Sequence, residues 1–241
     1  MIEIRHLHKQ YGAVAAASDV SFIAADGTIT GLLGENGAGK TTTLGMMCGL
    51  IRPDAGSVRV DGDIAGDARA RRRLGALLDH TGLYPRLTAR ENIVYFGNLQ
   101  GLARSDVGRR VDELLEAFDL DRLADRPART FSRGERVKVA IARAIVHNPQ
   151  NVLLDEPTNG LDVPTVRALR SLLRRMRDDG RAVVFSSHLL AEVRELCDQV
   201  VILSRGRIAG QGSVAAICGE AGAETLEDAF LALTGRTEVT A

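Results

Sequence analysis

Gly34-Glu35-Asn36-Gly37-Ala38-Gly39-Lys40-Thr41 satisfies the pattern G-x-x-x-x-G-K-[ST] at every fixed position. The pattern has a physical reason. Its glycines let the backbone turn tightly enough for successive N–H groups to converge on phosphate oxygens at the start of a helix. The lysine reaches the β- and γ-phosphates, and the threonine hydroxyl can ligate Mg²⁺. The surroundings agree. An apolar run, Ile29–Leu33, enters the loop as a strand would, and a helix-forming run through Met46 and Met47 leaves it. A Gly-rich surface turn with a lysine needs neither. The expected nucleotide contacts are Gly34, Asn36, Gly37, Ala38, Gly39, Lys40, Thr41 and Thr42.

Working outward, strand-like runs occur at Thr28–Leu33, Val58–Val60, Asn151–Leu154, Ala182–Ser186 and Val200–Leu203. Several are almost continuously apolar, as strands covered on both faces are. Helical patterns at Thr165–Asp178 and Leu189–Leu196 alternate with them. The alternation predicts an α/β fold with a mostly parallel sheet. From about Tyr84 to Val146 the pattern changes to helices without a convincing strand. Thr88-Ala89-Arg90-Glu91 and Ser132-Arg133-Gly134-Glu135 both read as capping boxes, and Val107, Val111, Leu114, Leu115 and Phe118 form one apolar stripe. Asn148-Pro149 ends the second capped helix. A last short helix is expected over Leu226–Leu233.

Asn151-Val152-Leu153-Leu154-Asp155-Glu156 supplies what a triphosphate site needs next: an apolar strand that delivers carboxylates to its C-terminal edge, where ligands bind in such sheets. Asp155 can hold Mg²⁺ through water, and Glu156 can act as general base on the attacking water. Alone, a strand ending in Asp-Glu is a weak signal. Paired with a complete phosphate loop it is a strong one.

Composition narrows the setting. Of 241 residues, 45% are hydrophobic, enough for a sizeable core. Thirty-one basic residues balance 31 acidic ones, which gives no electrostatic reason to expect nucleic acid as a partner. The run Arg69, Arg71, Arg72, Arg73 reads as a solvated helix face. Cys48, Cys197 and Cys218 have no metal-ligand spacing and fit a reducing compartment. No apolar run approaches the roughly 20 residues of a membrane span, and Met1–Arg5 alternates like a strand rather than a signal peptide. The expectation is a cytoplasmic chain whose membrane role comes through a partner.

The order of these motifs resembles the nucleotide-binding subunits of ABC transporters over nearly the whole chain. GENGAGKTT (34–42), FSRGERVKVAIARAI (131–145), LLDEPTNGLD (153–162) and SSH (186–188) carry the resemblance. It implies a P-loop NTPase (RecA-like) core with a mostly parallel sheet, an antiparallel β portion and an inserted all-helical subdomain. The boundaries it suggests are a core over about 1–79 and 147–213, a helical subdomain over about 80–146, and a C-terminal helix over about 224–235. It implies ATP and Mg²⁺ as substrate and cofactor, and catalytic roles for Lys40, Glu156 and His188. Tyr11 corresponds to the aromatic that stacks on adenine, and Asp162 to an aspartate between subunits. Ser132 and Gly134 correspond to the signature residues that contact the γ-phosphate in trans, which requires a second cassette, an identical copy being the simplest. Mg²⁺ ligands by resemblance are Thr41, Asp155 and Asp79.

This sequence departs from the family pattern twice. Asp79 stands where glutamine is usual, and a carboxylate can ligate a cation but cannot donate as an amide does. Arg133 and Glu135 replace a glycine and a glutamine of the signature. Gly82–Ile93, Tyr95-Phe96 and the ending Leu226–Gly235 look like sodium-efflux (Nat-type) and multidrug-export cassettes, which implies an exporter with a separate integral membrane permease, at the inner face of the cell membrane. Two alternatives stay open: a soluble ABC ATPase acting on nucleic acid or the ribosome, and a regulatory ATP switch with low turnover. Glu156 and His188 together weigh against the second. The absence of tandem cassettes or a long coiled-coil insertion weighs against the first.

Overall fold

Even in the fully apolar strands successive side chains alternate between the two faces, and this sets up the layers. In the computed structural model, which describes residues 1–78 and 82–235, Val152, Leu154, Val183 and Phe185 point to one face of a sheet while Leu153 and Val184 point to the other. Both faces are covered, so every position is buried and the runs read as continuous.

The elements in chain order begin with β1 (Ile2–Tyr11), β2 (Val14–Ala24), β3 (Thr28–Leu33), α1 (Lys40–Met47), β4 (Ala55–Val60) and β5 (Asp63–Ile64). Then follow α2 (Ala68–Arg72), β6 (Leu74–Leu77), α3 (Ala89–Leu99), α4 (Arg104–Ala117), α5 (Arg133–Ile145), β7 (Asn151–Leu154) and α6 (Val163–Asp178). The chain closes with β8 (Ala182–Ser187), α7 (Leu190–Leu196), β9 (Gln199–Ser204), β10 (Arg207–Gly212), α8 (Val214–Ala221) and α9 (Leu226–Thr234). One sheet has the order β10-β9-β3-β8-β7-β6, parallel except for β10. A second, antiparallel sheet has the order β2-β1-β4-β5.

On one face of the six-stranded sheet, α3, α4, α5 and α6 build a core with Ile29, Val152, Leu154, Val183 and Phe185. On the other, α1 is sandwiched between that sheet and the antiparallel one through Leu44, Met46 and Met47. A third cluster joins Leu33, Val200 and Ile202 to α7, α8 and α9. Both capping boxes form: Thr88 and Glu91 exchange bonds at the start of α3, as Ser132 and Glu135 do at α5. The arginines of α2 are exposed, as a solvated face should be.

Several elements escape the sequence pattern, the two-residue β5 among them. In β2, bulges and Asp19 at φ 62° break the alternation that would mark a strand. β6 has only four residues and two of them, Gly75 and Ala76, have little side chain. β10 is half-exposed and carries two glycines. Residues 214–221, which the expected boundaries assign to neither core nor C-terminal helix, form α8, capped by Ser213 and ended by Gly222 in the left-handed region.

Phe185 is 1% exposed and is the largest of the fully buried side chains. Phe185→Ala should lower folding stability by about 3–5 kcal/mol, read from the midpoint of urea unfolding.

Candidate functional site

The parallel pairing of β3, β8 and β7 fixes where chemistry can happen. Leu33 is opposite Ser187, and Leu154 is opposite Phe185. The loops leaving these strands, 34–39, 155–162 and 188–189, therefore emerge side by side at one edge.

The phosphate loop is shaped by its glycines. Gly39, the N-cap of α1, adopts φ 104°, and a Cβ there would fall 2.2 Å from the Ala16 carbonyl oxygen. No L residue with a side chain fits that position. Lys40 opens α1 and is 6% exposed; its ammonium donates to the carbonyls of Gly34 (2.6 Å) and Glu35 (3.1 Å). It also lies 3.5 Å from Glu156 Oε1. The charge is thereby held over its own loop.

Thr41 Oγ1 donates to Asp155 Oδ2 at 2.7 Å. The other carboxylate oxygen of Asp155 accepts a short bond from Ser186 Oγ, and Ser186 Oγ in turn accepts from the Glu156 N–H at 2.9 Å. Glu156 adopts φ 43°, a conformation a non-glycine residue holds only when its neighbours over-determine it. They do. Its Oε1 lies 3.2 Å from His188 Nδ1, and its Oε2 accepts from Asn159 at 3.2 Å. Thr41, Asp155, Ser186, Glu156 and His188 thus meet in one hydrogen-bonded chain, with the Lys40 ammonium ion-paired to the Glu156 carboxylate.

A cavity of about 560 Å³ opens beside it, lined by Asn36, Thr41, Asp155, Glu156 and Asn159 on one wall and by Arg133 and Arg136 of α5 on the other. Ser132 and Gly134 do not line it. They face a separate cavity of about 670 Å³ with Glu135, Asp162 and Thr165, and Arg133 borders both. Gly160, at φ 71°, gives Arg133 room: a Cβ there would stand 2.6 Å from the guanidinium carbon. At Gly134 the reverse holds, since a Cβ would meet nothing nearer than Thr165 Oγ1 at 3.7 Å. Nothing among the described residues demands that glycine. Asp162 caps α6, accepting from the Thr165 N–H at 2.9 Å. The bonds from Thr165, side chain first, and the nearby Lys138 charge hold its carboxyl below the usual range.

Tyr11 ends β1 with its ring half-exposed and the Lys9 ammonium 5.5 Å from the ring centroid. Its link to the loop runs through the β1–β2 hairpin, whose Ala16 abuts Gly39. Asp79 lies outside the described residues. The cysteines are free, and burial pushes the Cys48 thiol up to about 12. Among the described residues no helix is long and apolar enough to cross a membrane.

Sequence reasoning passed over Ser186, Asn159 and the buried trio Thr158, Ser187 and Glu192. Serine, threonine and asparagine at strand ends carry no periodic signal. Only the Ser-Ser before His188 hinted that hydroxyls gather there.

The family model for ABC transporters matches residues 17–159. The chain is 38% identical over 230 residues to the ABC transporter ATP-binding protein NatA of Bacillus subtilis, covering 94% of each chain. It is 37% identical to the sulfate/thiosulfate import ATP-binding protein CysA of Synechococcus elongatus, over 90% of this chain and 63% of that one. A solved ATP-binding subunit of an ABC transporter superposes with TM-score 0.90 at 31% identity, over 97% of this chain and 99% of that one. A dimeric ATP-binding cassette in a post-hydrolysis state with ADP and Pi superposes with TM-score 0.81 at 27% identity, over 88% and 98%. With the phosphate loop and the Asp155–Glu156 pair converging as they do, the chain belongs to the ABC transporter family as one of its ATP-binding, ATP-hydrolysing subunits.

Proposed function

We propose that this subunit drives an exporter of the sodium- or drug-efflux type, in which two identical cassettes close on two Mg·ATP and push a separate integral permease at the cytoplasmic face of the membrane. The observation that carries the ATPase chemistry is the bonded chain from Thr41 through Asp155 and Ser186 to Glu156, with Lys40 and His188 at the same carboxylate. Export rests on the Nat-type segments and on the similarity to NatA.

Roles follow from chemistry. The loop Gly34–Gly39 offers N–H groups and a helix N-terminus to the triphosphate, with Thr42 continuing that turn, and Lys40 supplies a fixed positive charge. Tyr11 offers a ring face to adenine. The residues present fit a Mg²⁺ site: Thr41 Oγ1 and Asp155 Oδ2, 2.7 Å apart, are hard oxygen donors lining the same cavity, and Thr41 would ligate the ion while Asp155 would hold it through water. One carboxylate plus substrate oxygens is the usual complement for this ion. When bound it would neutralise charge on the phosphates. Glu156 then orients and deprotonates the attacking water, and His188 holds that carboxylate and reaches toward the γ-phosphate. Asp79 is proposed as a third Mg²⁺ contact.

Ser132 and Gly134 serve the other copy's nucleotide. They face away from their own chain's phosphate loop, and Gly134 is a glycine that its own fold does not need. The α5 N-terminus behind them favours an anion. Asp162, beside them, would contact the other cassette. The permease is expected at the helical block, proposed to span about 80–146 between core segments of about 1–79 and 147–213, with a C-terminal helix over about 224–235. There Tyr84 and Tyr95 are 45% and 41% exposed and stack edge-on, with Phe96 and Arg143 behind them. Co-purification from membranes tests the transporter reading: recovery of an integral partner that stimulates turnover supports it, and a ribosome or nucleic acid in its place overturns it.

Glu156→Gln should retain ATP binding, lower turnover by at least about 100-fold and accumulate a closed dimer, seen by size-exclusion chromatography with ATP; wild-type turnover would remove Glu156 as base. Gly134→Ala should raise monomer stability by about 0.5–1 kcal/mol in urea unfolding while weakening ATP-dependent dimerisation. Unchanged dimerisation would place the trans contact elsewhere. For Asp79, turnover should fall in Asp79→Ala and persist in Asp79→Gln; equal, wild-type rates in both would exclude it from the mechanism.

A further inference from the structure

Glu192 is an unusual residue to find where it is. It lies on α7 with its neighbours Val193 and Leu196 in the core, is 6% exposed, and has no cationic partner among the described residues. Burying a carboxylate without a counter-charge is costly unless strong hydrogen bonds compensate. Two hydroxyls do so, both on the same oxygen: Thr158 Oγ1 donates to Glu192 Oε2 at 2.8 Å and Ser187 Oγ at 2.9 Å. Both donors are themselves buried.

The positions of the donors give the arrangement its meaning. Thr158 stands two residues after Glu156, and Ser187 stands immediately before His188. Ser187 Oγ also accepts from the Leu189 N–H at 3.0 Å, so both sides of His188 are tied to the same carboxylate. At the other end of the first loop, Ser186 Oγ holds the Glu156 N–H at 2.9 Å. Glu156 is therefore fixed on both flanks while it holds φ 43°. The separation of the two loops is what leaves Glu156 Oε1 and His188 Nδ1 3.2 Å apart.

We propose that Glu192 is a positioning residue for ATP hydrolysis: a buried carboxylate clamp that holds the Glu156 loop and the His188 loop in register. Both hydroxyls converge on one acceptor oxygen, so the two loops share a single anchoring atom. The inference rests on the assignment of Glu156 and His188 to the hydrolytic step. It does not involve the phosphate loop, which is anchored through β3 and α1.

The test compares Glu192→Ala, Glu192→Gln and Thr158→Val with Glu156→Gln, His188→Ala and the double variant Glu192→Ala/His188→Ala in the full-length chain. Glu192→Ala should lower kcat by about 10- to 100-fold, as small misplacements of reacting groups do, while KM and equilibrium binding of ATP stay within about twofold. Glu192→Gln, which can still accept both hydroxyls through its amide oxygen, should recover part of that loss. In the His188→Ala background, Glu192→Ala should add less than about twofold, because the residue acts through the pair. Should Glu192→Ala fail to fold, Thr158→Val carries the same kcat and coupling test. Wild-type turnover in the folded clamp variants, with Glu156→Gln and His188→Ala inactive, overturns the clamp alone. Losses that multiply independently in the double variant also overturn it, since they indicate general loosening. Wild-type turnover in Glu156→Gln and His188→Ala overturns the clamp together with the catalytic assignment beneath it.

Discussion

The parallel pairing of β3 with β8 and of β8 with β7 is the constraint on which the site depends. Each strand is short, and each ends in a residue that leads directly into chemistry: Leu33 into the phosphate loop, Leu154 into Asp155 and Glu156, and Ser187 into His188. Parallel strands bring their C-terminal ends to one edge, so residues 41, 155–156 and 186–188, the first more than a hundred positions from the others, share one hydrogen-bonded chain. A one-residue slip in either pairing would turn Val184 or Leu153 to the wrong face. The two clusters packed on opposite faces oppose such a slip, because Val152, Leu154, Val183 and Phe185 fill one core while Leu153 and Val184 fill the other.

The polar chemistry is built on that register with small hydroxyl side chains. Ser186 and Ser187 lie on adjacent, oppositely facing positions at the end of β8, and each serves a different carboxylate. Ser186 joins Asp155 to the Glu156 backbone. Ser187 joins Glu192 to the Leu189 backbone. Buried hydroxyls of this kind must be paired, and each of these two both donates and accepts, tying its loop at two points. The strained backbone of Glu156 is held in consequence.

The signature end of α5 follows a different logic. Ser132 has a role inside its own chain, as the cap of α5, whereas Gly134 costs its helix stability with no close side-chain or backbone contact among the described residues to require it. Arg133, packed over Gly160, places a cation between the cavity beside Asp155 and the cavity beside Ser132. On the proposed trans role these features await a second cassette, and the solved cassette to which the chain is similar is dimeric.

The sequence alone determined the fold class, the phosphate loop, the carboxylate pair, both capping boxes and the helical character of the middle block. These are properties of contiguous residues: a fixed-spacing motif, an apolar period, a cap. The same local view missed β2, β6 and β10, where bulges, glycines and exposure blur the alternation. Only the tertiary structure decided which distant residues share hydrogen bonds. Nothing in Thr158, Ser187 or Glu192 marks them as partners until sheet register and the packing of α7 bring them within 3 Å. A hydrogen bond depends on where the backbone carries two side chains in space, and that is set by the cooperative burial of whole strands and helices rather than by the pair itself.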